Sequence, residues 1–310
     1  MAQDDPVVSA QWLQQHLGQP DVKILDASWY MPEENRDPVQ EYQVAHIPGA
    51  LFFDIDGIVD RRIDLPHMLP SKEAFAAAVS VLGIRNQDIV IVYDGKGFFS
   101  APRVWWMFRV FGHSKVWVLD GGLPQWRASG FDVESHSSDD SILKSKAANN
   151  AVEAVYNGEL ANTITFQAEF QPQLFWTLEK VAHNVAARTY QQVDARSKGS
   201  TANRFDGVAP EPRKGVRSGH IPGSICVPFP EMFDGAPRLL PADELRKKFQ
   251  QAGISIDNPI VVTCGSGVTA CILALGLYRI GKHDVPVYDG SWTEWEAQPD
   301  SDYPKFTATS

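Results

Sequence analysis

The chain carries one sequence unit twice, and this duplication restricts its possible folds more than any other feature. The matched segments occur in the same order in both halves: Leu25-Asp26-Ala27 with Val193-Asp194-Ala195, His46-Ile47-Pro48-Gly49 with His220-Ile221-Pro222-Gly223, Tyr93–Gly97 with Thr263–Gly267, and Leu119–Gly122 with Tyr288–Ser291. Their offsets are 168, 174, 170 and 169 residues. Four collinear matches at a nearly fixed spacing predict two homologous domains of one fold, with a period too long for a solenoid.

Short β-branched runs alternate with helical patterns in each half. The predicted strands are Val22–Leu25, Ile89–Tyr93, Val116–Leu119, Tyr190–Val193, Pro259–Thr263 and Val285–Tyr288. The predicted helices are Lys72–Leu82, Ala101–Phe111, Asp243–Ala252 and Val268–Ile280. Strands this apolar need cover on both faces, so each half is predicted to be α/β, a mostly parallel sheet flanked by helices.

The segment between the two repeats carries no repeated motif. Residues 136–165 are rich in Ser, Asp, Asn and Ala and are predicted to be a linker, with a helix near Asn150–Tyr156. This places the first domain at 1–135 and the second at 166–310. A chain of 310 residues is long enough for two such cores.

Charge and cysteine content exclude several classes of function. The 38 acidic and 28 basic residues give a net charge of −10, which argues against a nucleic-acid or anionic-membrane surface. The strongest apolar run, Ala270–Ile280, is too short to span a bilayer. Three cysteines without a CxxC pair predict neither a disulfide framework nor a zinc site, and they favour a reducing compartment. We expect the cytoplasm, or the mitochondrion if a presequence has been removed.

One cysteine lies in a sequence context that favours chemistry. Cys264 follows the strand Pro259–Thr263 and precedes a helix, where free N–H groups attract anions, so it is expected to exist largely as thiolate. Gly265 and Gly267 remove side chains from the turn and let N–H groups surround one sulfur atom. The alternative is that Cys264 is a buried small hydrophobe in an ordinary turn.

The other cysteines are predicted to have a different role. Cys226 and Cys271 lie in apolar runs and are predicted to pack in the core. Asp94 stands at the position of Cys264 in the first half, so that half cannot perform thiol chemistry there. The duplication therefore predicts one active loop and one non-catalytic domain.

Several motifs resemble those of a known family. They are His-Ile-Pro-Gly in both halves, Asp26–Tyr30, Ser100–Arg109 and Tyr288–Trp292. Over nearly the whole chain the sequence resembles the two-domain rhodanese-like sulfurtransferases. The loop Cys264–Thr269 is similar to that of the 3-mercaptopyruvate branch, whereas thiosulfate-specialised members carry a more basic loop. Phosphatases of this fold need an arginine where this chain has Ala270.

The resemblance implies a reaction and a set of substrate-binding residues. Cys264 would take sulfur from 3-mercaptopyruvate, and less well from thiosulfate, and pass it from a persulfide to a thiol such as thioredoxin or to cyanide. No metal or organic cofactor is implied. The loop residues that would bind substrate are Gly265, Gly267, Val268 and Thr269.

Two arginines are implied to grip the substrate carboxylate. Arg204 and Arg213 lie in a segment similar to the family's substrate-binding segment, and a guanidinium suits a carboxylate. Around Gly199–Asn203, just before Arg204, this chain is about four residues longer than the family pattern. Without the resemblance, both arginines would be interpreted as exposed residues of a solvated loop.

The resemblance also implies a relay across the domain interface. Asp56 would fix the tautomer of His67, and His67 would polarise the Ser266 hydroxyl. From the sequence alone, a single histidine before Met-Leu-Pro is more often structural. His46 and His220 recur in both halves and are predicted to be structural, and Asp26 and Asp194 to fix loops.

Two other functions stay open from the sequence. One is a catalytically silent rhodanese-like module that binds a partner. Loss of the cysteine would favour this alternative, and Cys264 is present. The other is a serine hydrolase using Ser266, although no G-x-S-x-G motif surrounds that residue.

Overall fold

The fold is described from a computed structural model that covers residues 5–135, 140–159, 164–198 and 203–308. The chain divides into two compact units. The first comprises the chain up to Gln171 together with Gly235–Arg238, and the second comprises Pro172–Asp234 and the chain from Leu239 onward.

The first unit contains a five-stranded sheet. Its strands are β1 (Val7–Val8), β2 (Val22–Asp26), β3 (Leu51–Phe52), β4 (Ile89–Tyr93) and β5 (Val116–Leu119), and they lie in the order β1-β5-β4-β2-β3. All four pairings are parallel, and the register places Asp26 opposite both Phe52 and Tyr93. The strand β2 therefore brings Asp26 to the carboxyl edge of the sheet.

Helices cover both faces of this sheet, as its apolar strands require. Ile91 and Tyr93 of β4 pack in a core with Leu13 and Trp126, while Val90 and Val92 are also fully buried. The helices of this unit are α1 (Ala10–His16), α2 (Pro38–Val44), α3 (Lys72–Val81), α4 (Ala101–Val110), α5 (Gly122–Ala128) and α6 (Asp140–Tyr156).

The second unit repeats the same sheet. Its strands are β6 (Phe175–Trp176), β7 (Gln191–Asp194), β8 (Ile225–Cys226), β9 (Ile260–Thr263) and β10 (Val287–Tyr288), in the order β6-β10-β9-β7-β8. All four pairings are again parallel. Its helices are α7 (Leu178–Ala187), α8 (Ala242–Gln251), α9 (Ala270–Arg279) and α10 (Ser291–Glu296). The predicted fold class, two α/β domains with parallel sheets, is confirmed.

The segment predicted to be a linker contains a long helix. Within it, α6 begins at Asp140, ten residues before the predicted helix near Asn150–Tyr156, and packs against α3. The domain boundaries 1–135, 136–165 and 166–310 stay a prediction. No helix of the described residues is both long and apolar enough to cross a membrane.

Candidate active site

Cys264 lies directly after β9, at the carboxyl edge of the second sheet. Its backbone is fixed on both sides: its N–H donates to Ser291 Oγ at 3.1 Å, and its carbonyl accepts from the Trp292 N–H at 3.0 Å. The residue is buried, with 1% of its surface exposed. Its position after a strand and before a helix is the one that the sequence predicts.

The loop from Gly265 to Thr269 leads into the ten-residue helix α9. Gly267 adopts φ +78°, a left-handed conformation that costs a side-chain-bearing residue energy. The carbonyl of Gly265 accepts from the N–H of Thr293 at 2.9 Å and from its hydroxyl at 2.6 Å. Ser266 and Val268 are buried within this loop.

The equivalent loop of the first unit shows what such a loop can bind. Asp94 Oδ2 accepts three backbone N–H groups, from Phe99 at 2.8 Å and from Ser100 and Ala101 at 2.9 Å. Oδ1 of the same carboxylate accepts the Lys96 N–H at 2.9 Å. The repeat aligns this loop with Cys264–Thr269. In the first unit its backbone N–H groups surround a carboxylate, as expected at a helix N-terminus.

A buried ionic cluster lies beside the Cys264 loop. The Arg196 side chain is 2% exposed, and its Nη2 lies 2.7 Å from Asp194 Oδ2. Its Nη1 lies 2.7 Å from Glu211 Oε1, and its guanidinium carbon is 5.0 Å from the centre of the Trp292 ring. A Cβ atom at Gly265 would stand 3.8 Å from Arg196 Cδ, so this arginine reaches the loop.

Burial and mutual attraction shift the pKa values of two members of this cluster, Glu211 and Arg196. Burial raises the pKa of Glu211, although Arg196 and Arg204 both favour its charged form. Burial opposes the charge of Arg196, but Asp194 and Glu211 together raise its pKa above the usual range. We infer that Arg196 stays a cation here, with its charge compensated by the two carboxylates.

The two arginines predicted to bind the substrate lie in the same unit. Arg204 is partly buried, and its Nη1 lies 3.9 Å from Glu211 Oε2. Arg213 is partly buried as well. The extra residues proposed at Gly199–Asn203 lie outside the described residues except for Asn203, whose amide donates to Asp206 Oδ2 at 2.8 Å.

In the first unit, Asp56 and His67 lie together. His67 Nδ1 is 3.0 Å from Asp56 Oδ1. Asp56 Oδ2 accepts the Trp29 indole N–H at 2.9 Å, and the Trp29 ring meets the imidazole edge-on at 4.8 Å. His67 is buried and adopts φ +62°, and its carbonyl accepts from Arg103.

Comparisons with known proteins identify the family. The profile of the Rhodanese-like domain matches residues 9–129 and again 177–298. The chain belongs to the rhodanese-like family. The first region lies in the first unit and the second, apart from Gly235–Arg238, in the second unit. The predicted two-domain rhodanese-like sulfurtransferase of the 3-mercaptopyruvate branch is confirmed.

Relatives of this rhodanese-like chain span most of its length. "Thiosulfate/3-mercaptopyruvate sulfurtransferase 1, mitochondrial" of Arabidopsis thaliana is 67% identical over 96% of this chain and 77% of the relative. The human 3-mercaptopyruvate sulfurtransferase is 42% identical, over 93% of this chain and 91% of the relative. The crystal structure of SseA from Escherichia coli, a 3-mercaptopyruvate sulfotransferase, matches with a TM-score of 0.76 at 37% identity, over 93% and 99% of the two chains. The chain is thus an enzyme of the sulfurtransferase type, and the comparisons do not support a silent partner-binding module.

Two features of this rhodanese-like site differ from the sequence interpretation. Cys226 was predicted to pack in the core, but it is half-buried and its Sγ lies 3.2 Å from the Arg196 carbonyl, because β8 is a short edge strand. Cys271 is fully buried, as predicted. Arg196 was not selected from the sequence at all. A comparison of the two repeats could have indicated Arg196, because an arginine stands there in the second half where the first half has Ser28.

The remaining structural assignments agree with the contacts. His46 Nδ1 lies 2.7 Å from the Tyr42 carbonyl and stacks on the Tyr42 ring. His220 stacks between Phe205 and Phe306. These contacts fix turns that precede β3 and β8, which is the structural role predicted for both histidines.

Proposed function

We propose that this chain takes sulfur from 3-mercaptopyruvate, and less well from thiosulfate, through a persulfide on Cys264. The observation that carries the proposal is the Cys264–Thr269 loop between β9 and α9. Its first-unit equivalent encloses the Asp94 carboxylate in four N–H donors, which supports an anion-binding role for this loop form. In the second unit the side chain at that position is a thiol.

The first step is attack by the Cys264 thiolate on the sulfur of 3-mercaptopyruvate. A new S–S bond forms while the C–S bond breaks, and the electron pair of the C–S bond goes to carbon as the enolate of pyruvate. A proton converts the enolate to pyruvate, and the persulfide stays on Cys264. The N–H groups of the loop would stabilise the anionic outer sulfur of this persulfide.

Substrate orientation is assigned to Arg204 and Arg213. A guanidinium presents paired donors that match a carboxylate, and both arginines are partly buried, so water competes less for them. Glu211 lies 3.9 Å from Arg204 and holds it from one side. Gly265, Gly267, Val268 and Thr269 would form the wall on which the substrate sulfur rests.

Stabilisation of the negative charge on the enolate is assigned to a relay of three residues. Ser266, two residues from Cys264, would donate a hydrogen bond or a proton to the departing enolate, with His67 acting on the Ser266 hydroxyl. Asp56 would hold the His67 imidazole, which is supported by their 3.0 Å separation. Asp56 and His67 lie in the first unit and Ser266 in the second.

The persulfide then passes its outer sulfur to an acceptor. Sulfurtransferase activity implies a thiol acceptor, and we propose a protein dithiol such as thioredoxin, with cyanide as an artificial acceptor. The compartment is proposed to be reducing. One relative is named as mitochondrial, which supports the mitochondrial alternative over the cytoplasm.

The intact mass of the protein tests this function. After mixing with 3-mercaptopyruvate without an acceptor, we expect a gain of one sulfur atom, about 32 Da, located by peptide mapping on Cys264. Added thioredoxin should restore the original mass. No mass gain, or a gain located on Cys226 or Cys271, would disprove the proposed mechanism.

A further inference from the structure

The first unit contains a cavity that the sulfur chemistry does not use. Its volume is about 380 Å³, within the range of roughly 300–1,000 Å³ that holds small organic ligands. Its lining includes Asp26, Ser28, Tyr30, Gly95, Leu123 and Arg127. The cavity therefore lies at the carboxyl end of β2, beside the loop that carries Asp94.

The second unit shows what fills the equivalent place. Ala27 N–H donates to the Tyr93 carbonyl at 2.8 Å, and Ala195 N–H donates to the Thr263 carbonyl at 2.9 Å. The next residue in each unit, Ser28 or Arg196, donates its N–H to Oδ1 of the preceding aspartate at 2.9 Å. The two backbones thus follow the same path, and Ser28 stands where Arg196 stands.

A second pair of positions supports the equivalence. Leu123 N–H donates to the Asp94 carbonyl at 3.1 Å, and Trp292 N–H donates to the Cys264 carbonyl at 3.0 Å. In the second unit the Trp292 ring packs against the guanidinium of Arg196. In the first unit both side chains are replaced by smaller ones, Ser28 and Leu123, and both of these line the cavity.

The carboxylate at the base of the cavity lacks the cation that its counterpart has. Asp194 is held by Arg196 through Nε at 3.1 Å and Nη2 at 2.7 Å. Asp26 is 1% exposed and accepts from the Ser28 N–H at 2.9 Å and the Ser28 hydroxyl at 2.5 Å. In the described part of the chain no cationic side chain forms an ion pair with Asp26, and burial raises its pKa to about 6.

Two other charged groups of the cavity, Arg36 and Glu41, are paired with each other. Arg36 donates to Glu41 at 2.7 Å and 2.5 Å, and its guanidinium carbon lies 3.6 Å from the centre of the Tyr30 ring. Arg127 is exposed. Asp26 is therefore a buried carboxylate whose hydrogen-bond donors are neutral groups, which leaves room for a cationic donor from a ligand.

We propose that this cavity is a binding site for a guanidinium group, held on Asp26 as Arg196 is held on Asp194. The guanidinium could belong to a free small molecule or to an arginine side chain of another protein. A planar fork of N–H donors suits a carboxylate better than an ammonium does, so the site should prefer guanidinium to ammonium ligands.

Calorimetric titration with methylguanidinium tests the proposal on the full chain. Wild-type protein should bind this probe, and bind methylammonium several-fold more weakly. Asp26→Asn should weaken methylguanidinium binding by about tenfold or more, since a charge-assisted pair becomes a neutral one. Asp21→Asn is the matched control, because it removes an exposed carboxylate just before the other end of β2 and should bind as wild type does.

A second variant keeps the test decisive if Asp26→Asn does not fold. Ser28→Arg should place a guanidinium against Asp26 from within the chain and so abolish methylguanidinium binding. Free L-arginine and the peptide Gly-Arg-Gly then distinguish the two sources of the group, because a peptide that fails to bind would restrict the site to small molecules. Absence of methylguanidinium binding to wild type, undiminished binding to Ser28→Arg, or equal affinity for methylammonium would overturn the proposal.

Discussion

The imidazole of His67 lies 3.0 Å from the carboxylate of Asp56, and it does so from a left-handed backbone conformation with φ +62°. A residue with a side chain pays about 1–3 kcal/mol for such a conformation, so the surrounding contacts must hold it there. The Arg103 side chain bonds the His67 carbonyl, and Trp29 packs edge-on against the ring. The structure thus fixes the orientation of one imidazole at an energetic cost, as a positioned proton-transfer group requires.

Replacing Asp56 with Asn should slow sulfur transfer from 3-mercaptopyruvate selectively. The amide can still accept the Trp29 N–H but no longer carries the charge that orients and supports His67. We expect kcat to fall by up to roughly 10²-fold, the lower end of what a positioned proton-transfer group contributes. Steady-state kinetics with both donors measure the effect, and thiosulfate turnover should be spared.

Asp64→Asn is the matched control for this variant. Asp64 is an exposed carboxylate three residues before His67 and takes no part in the proposed relay, so turnover with both donors should stay as in wild type. Equal losses with both donors in Asp56→Asn would assign Asp56 a purely structural role.

The three cysteines should separate cleanly by function. Cys264→Ser should abolish turnover while the fold is kept, because an oxygen nucleophile does not accept sulfur and the volume changes little. Cys271→Ser should lower stability, since it places a hydroxyl in a fully buried position, and leave kcat near wild type. Cys226→Ser should change both quantities less, because that thiol is half-buried. Substantial turnover by Cys264→Ser would exclude a persulfide on that residue.

Arg213→Ala should raise KM for 3-mercaptopyruvate more than KM for thiosulfate. The proposed contact is with a carboxylate, which thiosulfate lacks, so the loss is specific to one donor. Arg217→Ala is the control, because it removes an exposed arginine of the same unit whose partners are Glu296 and Asp300. A parallel rise of KM for both donors in Arg213→Ala would mean that Arg213 only attracts anions in general.

The sheet was predictable wherever the strand is apolar on both faces. Ile89–Tyr93 and Val116–Leu119 occur with the bounds that the sequence predicts. The start of α9 was not predictable to the residue: it begins at Ala270 rather than Val268, because Gly267 is left-handed and keeps the loop open through Thr269. The repeat located the cysteine loop, since it places Asp94 in the first half where the second half has Cys264.

Features that depend on side chains from distant segments were not predictable. The buried residues of α6 include Ser145 and Ala148, and such small residues give little hydrophobic periodicity to detect from the sequence. Arg196 is buried only because Asp194, Glu211 and the Gly219 carbonyl surround it in three dimensions. A charged residue in a strand-end motif looks exposed until those partners are placed.

The buried carboxylate of Asp26 should make the stability of the first unit depend on pH. Desolvation raises its pKa from 3.8 to about 6, so ionising it is harder in the folded than in the unfolded chain. The penalty is absent below pH 3.8, grows as pH rises toward 6 and is then constant at about 3 kcal/mol. As the pH rises from 3.8 to 6, the free energy of unfolding measured in urea should therefore fall for wild type relative to Asp26→Asn. A difference that is independent of pH would contradict it.

Ser266→Ala should distinguish the two sulfur donors more sharply than any other variant. Thiosulfate releases sulfite, which is already a stable anion, whereas 3-mercaptopyruvate must place charge on a carbon atom as its C–S bond breaks. Ser266 lies two residues from Cys264 and is buried in the loop, so its hydroxyl can act where water is largely excluded. Loss of that contact should reduce kcat/KM for 3-mercaptopyruvate by on the order of 10²-fold and spare thiosulfate. Replacing His67 with Gln should reproduce the same selectivity if His67 acts through Ser266, and the double variant should then lose no more than either single one. An unchanged ratio of kcat/KM between the donors in Ser266→Ala would leave enolate stabilisation to the backbone N–H groups of the loop alone.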